Sequence, residues 1–65
     1  MVTAKDVGGR VTDGKLEGVL KDFDPAWTDP ASMPNERKSY PQAWVYFDGM
    51  GERQCPPNIL RRVRR

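Results

Sequence analysis

The clearest hydrophobic pattern in the chain lies at residues 43–48, Ala-Trp-Val-Tyr-Phe-Asp. Every residue from Trp44 to Phe47 is β-branched or aromatic, the types that suit a pleated, half-buried surface. Period two places Ala43, Val45 and Phe47 on one face, and Trp44, Tyr46 and Asp48 on the other. Gly49-Met50-Gly51 then reads as a tight hairpin connection, and residues 52–55 as the returning strand. Pro56-Pro57-Asn58 cannot continue a ladder and suits a 3₁₀ turn. Residues 59–63 close the chain as a last short strand.

The first half carries a weaker version of the same alternation. Residues 7–12 read as a first strand, ended by the turn dipeptide Asp13-Gly14. Residues 15–23 read as a second strand with apolar Leu16, Val19, Leu20 and Phe23. Strict alternation fails between Leu20 and Phe23, which predicts a bulge or strong bend there, helped by Gly18. No stretch shows apolar residues at helical spacing over three turns. The expected fold is therefore all-β.

Residues 24–41 break the alternation. Pro25, Pro30, Pro34 and Pro41 fall among Asp24, Asp29, Asn35 and Ser39. The segment reads as a long Pro-rich loop between strands 2 and 3, a length usually found in functional or disordered loops. It also contains Trp27, Met33 and Tyr40, and disordered linkers are poor in aromatics. A loop that folds back on the sheet, or waits for a partner, is expected.

Composition narrows the function more than it names one. Sixty-five residues make a single domain, 1–65, with no internal repeat. A chain of this size buries only roughly 60% of the surface its unfolded form exposes, so stability must come from packing, a partner or a second copy. Cys55 is the only cysteine and histidine is absent. An internal disulfide and a zinc site are thereby excluded, and the commonest general base is missing. No nucleophile–base pair or phosphate-binding Gly loop can be assembled, so neither catalysis nor a cofactor is expected. No apolar run approaches the ~20 residues of a membrane span, and the N-terminus lacks a signal-peptide stretch. A cytoplasmic protein is expected.

The net charge of +2 conceals an asymmetry. Residues 1–54 carry seven basic and nine acidic side chains, whereas residues 61–65 carry Arg61, Arg62, Arg64 and Arg65 and no acid. This basic tail points to a partner more sharply than the overall charge does.

The order of strand, turn, bent strand, long loop, strand, Gly turn, strand, 3₁₀ turn and short strand resembles an SH3-like five-stranded small barrel of the Tudor, KOW and Sm-like group. Val45-Tyr46-Phe47-Asp48-Gly49-Met50-Gly51-Glu52 is similar to the third strand and turn of Tudor domains. The later Pro-Pro-Asn-Ile-Leu resembles their 3₁₀ turn and closing strand. Gly18-Val19-Leu20-Lys21-Asp22-Phe23-Asp24 is similar to the G-x-L-x-x-F-D stretch of Sm-like proteins. The resemblance implies a closed barrel that binds another macromolecule. Phe47 falls at a frequent methyl-cage position of Tudor domains, but Met50 stands where a further aromatic is common. The Met-Asn pair with which Sm-like proteins hold RNA is absent.

Candidate binding residues follow from these features. Trp44 and Tyr46 form an aromatic platform if exposed, able to stack bases or anchor a partner. The alternative is that the long loop covers them, with Trp27 or Tyr40 packing on top. Arg61, Arg62, Arg64 and Arg65, with Arg53, either contact phosphates or form a solvated terminus. Cys55 reads as a packed strand-end thiol. Asp22, Asp24 and Asp29 lack the spacing of a calcium loop and read as turn carboxylates, so no metal is expected. The leading expectation is a nucleic-acid-binding module. A protein-interaction module using the Trp44/Tyr46 face is the second, and a subunit of a small homo-oligomer the third.

Overall fold

In the computed structural model, which describes residues 1–35 and 38–63, the chain forms one five-stranded antiparallel sheet. The strands are β1 (Arg10–Thr12), β2 (Glu17–Thr28), β3 (Ser39–Phe47), β4 (Gly51–Cys55) and β5 (Arg61–Arg62), in spatial order β4-β3-β2-β1-β5. Two 3₁₀ turns, Ala4–Asp6 and Pro57–Ile59, complete the described residues. The all-β expectation holds, as does the 3₁₀ turn before the last strand. No helix among the described residues is long and apolar enough to cross a membrane.

The core gathers on one face. Ala43, Val45 and Phe47 of β3 are buried there with Leu20 of β2 and Val11 of β1. Val2 and Leu60, which lie outside the strands, close over them. Phe47 is thus a core side chain and not a cage aromatic. Leu16, Phe23 and Cys55 pack at the margin. The bulge expected after Leu20 is present. Leu20 pairs with Val45 and Asp22 with Trp44, leaving Lys21 as the extra residue. This shift returns Phe23 to the core side, opposite Ala43. Gly18 is required by a close approach: a Cβ there would lie 2.2 Å from the Tyr46 carbonyl oxygen.

The long loop is shorter than its prolines predict. Residues 24–28 and 39–41, expected in the loop, are strand, with Asp24 opposite Gln42, Trp27 opposite Tyr40 and Thr28 opposite Ser39. The register shifts again between Asp24 and Trp27, and Pro25 sits inside that irregularity. Pro41 lies across from it, between the paired residues Tyr40 and Gln42. A bulge needs no ladder N–H from either proline, so both are tolerated. Asp24 and Asp29 act as turn carboxylates, accepting from the N–H of Ala26 and of Ala31, each at 2.9 Å.

The closed barrel is not formed. Among the described residues β4 pairs with β3 and β5 with β1, and the two outer strands do not meet. Among the same residues β5 is two residues long, Arg61–Arg62. The first strand is also shorter than expected, because residues 7–9 are a turn with Gly8 at positive φ. That turn follows a 3₁₀ turn held by a capping box, in which the Asp6 carboxylate accepts from Thr3 N–H at 2.7 Å. The other Asp6 oxygen accepts from Arg62 Nε, which ties the N-terminus to β5.

Candidate functional site

The sheet face opposite the core is built by register. Residues directly opposed in an antiparallel pair share a face. Arg10, Val19, Tyr46 and Glu52 therefore form one row across four strands. Asp22, Trp44 and Gln54 form the next. Where β2 and β3 run on past the core, Trp27 faces Tyr40.

Tyr46 is 54% exposed at the centre of this face. Trp44 is half-buried because Trp27 packs edge-on against it, ring centroids 6.4 Å apart and planes at 76°. Tyr40 also meets Trp27 edge-on, at 5.5 Å and 78°. The two arrangements open in the sequence thus divide between the two residues. Trp27 covers part of Trp44, and Tyr46 stays open. The cover comes from the strand extension, so it is part of the sheet. Below it, Gln54 Nε2 donates to Gln42 Oε1 and Gln42 Nε2 donates to the Pro41 carbonyl, each of these amides reaching its neighbour near 3 Å. The buried Gln42 side chain is thereby satisfied, and the arm is pinned to β4.

Carboxylates surround the aromatics. Asp22 and Glu52 share their rows, and Glu17 and Asp48 lie beyond Val19 and Tyr46. Arg10 takes up the last two, donating through Nη2 to Glu17 at 3.2 Å and through both terminal nitrogens to Asp48. These partners push the guanidinium pKa further up, Asp48 contributing most.

Among the described residues, the basic candidates do not converge on the aromatics. Arg53 is exposed but pairs with Val45, so it belongs to the core-side face at the sheet edge. Arg61 lies on the far strand opposite Thr12. Arg62 is held by Asp6, whose carboxyl is lowered mainly by that hydrogen bond. Arg64 and Arg65 lie outside the described residues. The Cys55 thiol is pushed up by burial first and by Asp13 second, which makes it a poor nucleophile.

Glu52 and Gln54 belong to this face although sequence reasoning did not single them out. The signal was present in the hairpin. A connection closing Phe47 against Gly51 puts Glu52 opposite Tyr46 and Gln54 opposite Trp44. Comparison with protein-family models, curated proteins and solved structures finds no match for the chain.

Proposed function

We propose that this chain is a non-catalytic protein-interaction module that docks a partner on the outer face of its sheet. The observation carrying this reading is the exposed Tyr46 ring, set between Val19 and Glu52 and flanked by the Trp44–Trp27–Tyr40 cluster. An amphipathic aromatic on a rigid strand, beside partly buried aromatics, has the make-up of an interface anchor. The strand order, with β5 returning beside β1 and a bulged β2, supports kinship with SH3-like small barrels, here as an open sheet.

Nucleic acid is the weaker fit. Stacking on Tyr46 would bring phosphates near Glu52 and Asp22, while Arg62 is engaged with Asp6 and Arg53 belongs to the other face. A module of this size devoted to nucleic acid concentrates its cations on one face. The homo-oligomer reading has no specific observation behind it.

The test is a pull-down from the native host with the wild-type chain and with Tyr46→Ala, analysing proteins and nucleic acids separately. Recovery of a protein that Tyr46→Ala loses while staying folded is the expected result. Equal recovery by both chains, or recovery of nucleic acid alone, overturns the proposal.

A further inference from the structure

The geometry points to a binding mode for that partner: the free edge of β4 takes an extended, cationic peptide segment as a sixth strand, with a Lys or Arg of the segment facing Glu52. The inference rests on the protein-interaction reading and specifies the partner's chemistry.

The backbone carries the first half of the argument. Asp48 N–H donates to the Glu17 carbonyl on β2 at 2.8 Å. Backbone groups of successive strand residues point to opposite sides. Tyr46 therefore turns its N–H and C=O toward β2, and Val45 and Phe47 turn theirs toward β4. Their partners on β4 are Arg53 and Gly51. By the same alternation, Glu52 and Gln54 direct their N–H and C=O away from β3. Among the described residues β4 has β3 as its one neighbour. The outward groups of Glu52 and Gln54 form a short row with strand spacing, which is the template for strand addition.

Side chains supply the second half. Glu52 is exposed, and among the described residues its carboxylate has no hydrogen-bond or ion-pair partner. This sets it apart from Glu17 and Asp48, which Arg10 engages. A guest residue across from Glu52 would share its face and lie one strand beyond Tyr46. Opposite charges are favourable at such a position and like charges are not. A long basic side chain there also reaches toward the Tyr46 ring, whose face attracts cations. Arg53 points to the other face, so the neighbouring guest position favours Asp or Glu. The edge therefore selects alternating charge in an extended peptide. A nucleic acid offers neither the amide spacing nor the positive charge.

The test titrates the full isotope-labelled chain with the blocked peptide Val-Lys-Glu-Lys-Val-Lys-Thr and follows amide signals and hydrogen exchange. Protection of the Glu52 and Gln54 amides is expected. Backbone N-methylation of the peptide, which keeps its charges, should abolish the effect. Glu52→Lys should weaken binding at least tenfold. Gln54→Pro should do the same, since it removes an outward N–H while sparing the β3–β4 ladder, and an unchanged amide spectrum elsewhere shows that the variant folds. The inference is overturned if millimolar peptide protects neither amide, or if both variants bind as well as wild type. It is also overturned if a mixed oligonucleotide, or raised protein concentration alone, protects those amides in place of the peptide. Loss of the native partner on Tyr46→Ala but not on Glu52→Lys or Gln54→Pro would leave the outer-face reading standing and remove the edge alone.

Discussion

Arg10 on β1 reaches over β2 to grip Asp48 in the β3–β4 turn, 38 residues away in sequence, and donates to Glu17 on the way. The contact fastens the closing hairpin to the first strand across the outer face. Its members are well exposed, with Arg10 at 41% and Asp48 at 59% side-chain accessibility, so screening by water and salt limits its contribution. Arg10→Gln should lower the thermal midpoint by less than any truncation in the core. High salt should lower the wild-type midpoint and narrow the difference. Thermal melts at low and high salt check both; a difference that widens with salt would mean the guanidinium acts through packing.

Gly18 offers a sharper test of the fold. Its added Cβ would meet Tyr46 O at 2.2 Å and Phe47 Cα at 2.7 Å, backbone atoms that cannot rotate away. Gly18→Ala must force β2 and β3 apart where the two strands carry Leu20, Val45 and Phe47 of the core. Overpacking of this kind costs about 1–3 kcal/mol and occasionally more. Urea denaturation should show a loss at the upper end of that range. Gly14→Ala, at positive φ but in open space, should cost about 1 kcal/mol or slightly more.

Acid should weaken the fold through two aspartates. Arg62, then the Thr3 amide, hold the Asp6 carboxyl below its ordinary value of 3.8. The Leu16 and Lys15 amides do the same for Asp13 in the turn after β1. A carboxyl with a depressed folded pKa binds its proton more readily in the unfolded chain. Its contribution is therefore complete above 3.8 and disappears as pH falls through the lowered folded value. Urea midpoints should be flat from neutrality to about pH 4 and then decline. Asp6→Asn should flatten the decline, because it removes the charge that Arg62 reads. A decline unchanged in that variant would place the acid sensitivity elsewhere.

These residues also show what was legible before the fold was known. The strand at 43–48 was readable because alternation and propensity agree there, and its buried half, Ala43, Val45 and Phe47, is the core. The bulge after Leu20 was readable because a missed beat in a strand has few other solutions. The β2–β3 arm was hidden because Pro25 and Pro41 read as strand breakers. They lie where the register already slips, and a slip is a long-range pairing event that local sequence does not encode. The capping box of Thr3 and Asp6 is encoded locally, with the two residues three apart, but the sequence reading did not single it out. The separation of Arg53 from Tyr46 follows from parity along β4 once the hairpin length is set. Whether β4 and β5 meet depends on sheet curvature, for which the sequence has no short-range sign.

The aromatic cluster allows the share of Trp44 in the fold to be measured apart from its share in the proposed interface. Trp27 and Trp44 sit at 6.4 Å in a T-shaped arrangement, on strands joined through a second bulge. Such pairs contribute about 0.5–1.5 kcal/mol beyond the area they bury. A double-mutant cycle with Trp27→Leu and Trp44→Leu, read by urea denaturation, should return a coupling energy in that range. Trp27→Leu alone should also shift the remaining Trp44 emission to longer wavelength, since it uncovers that ring. If Trp44 serves mainly to hold the arm against the sheet, Trp27→Leu will loosen residues 24–28 and 39–42 in hydrogen exchange while partner capture through Tyr46 persists. A coupling near zero, with capture lost on Trp44→Leu, would assign Trp44 to the interface together with Tyr46.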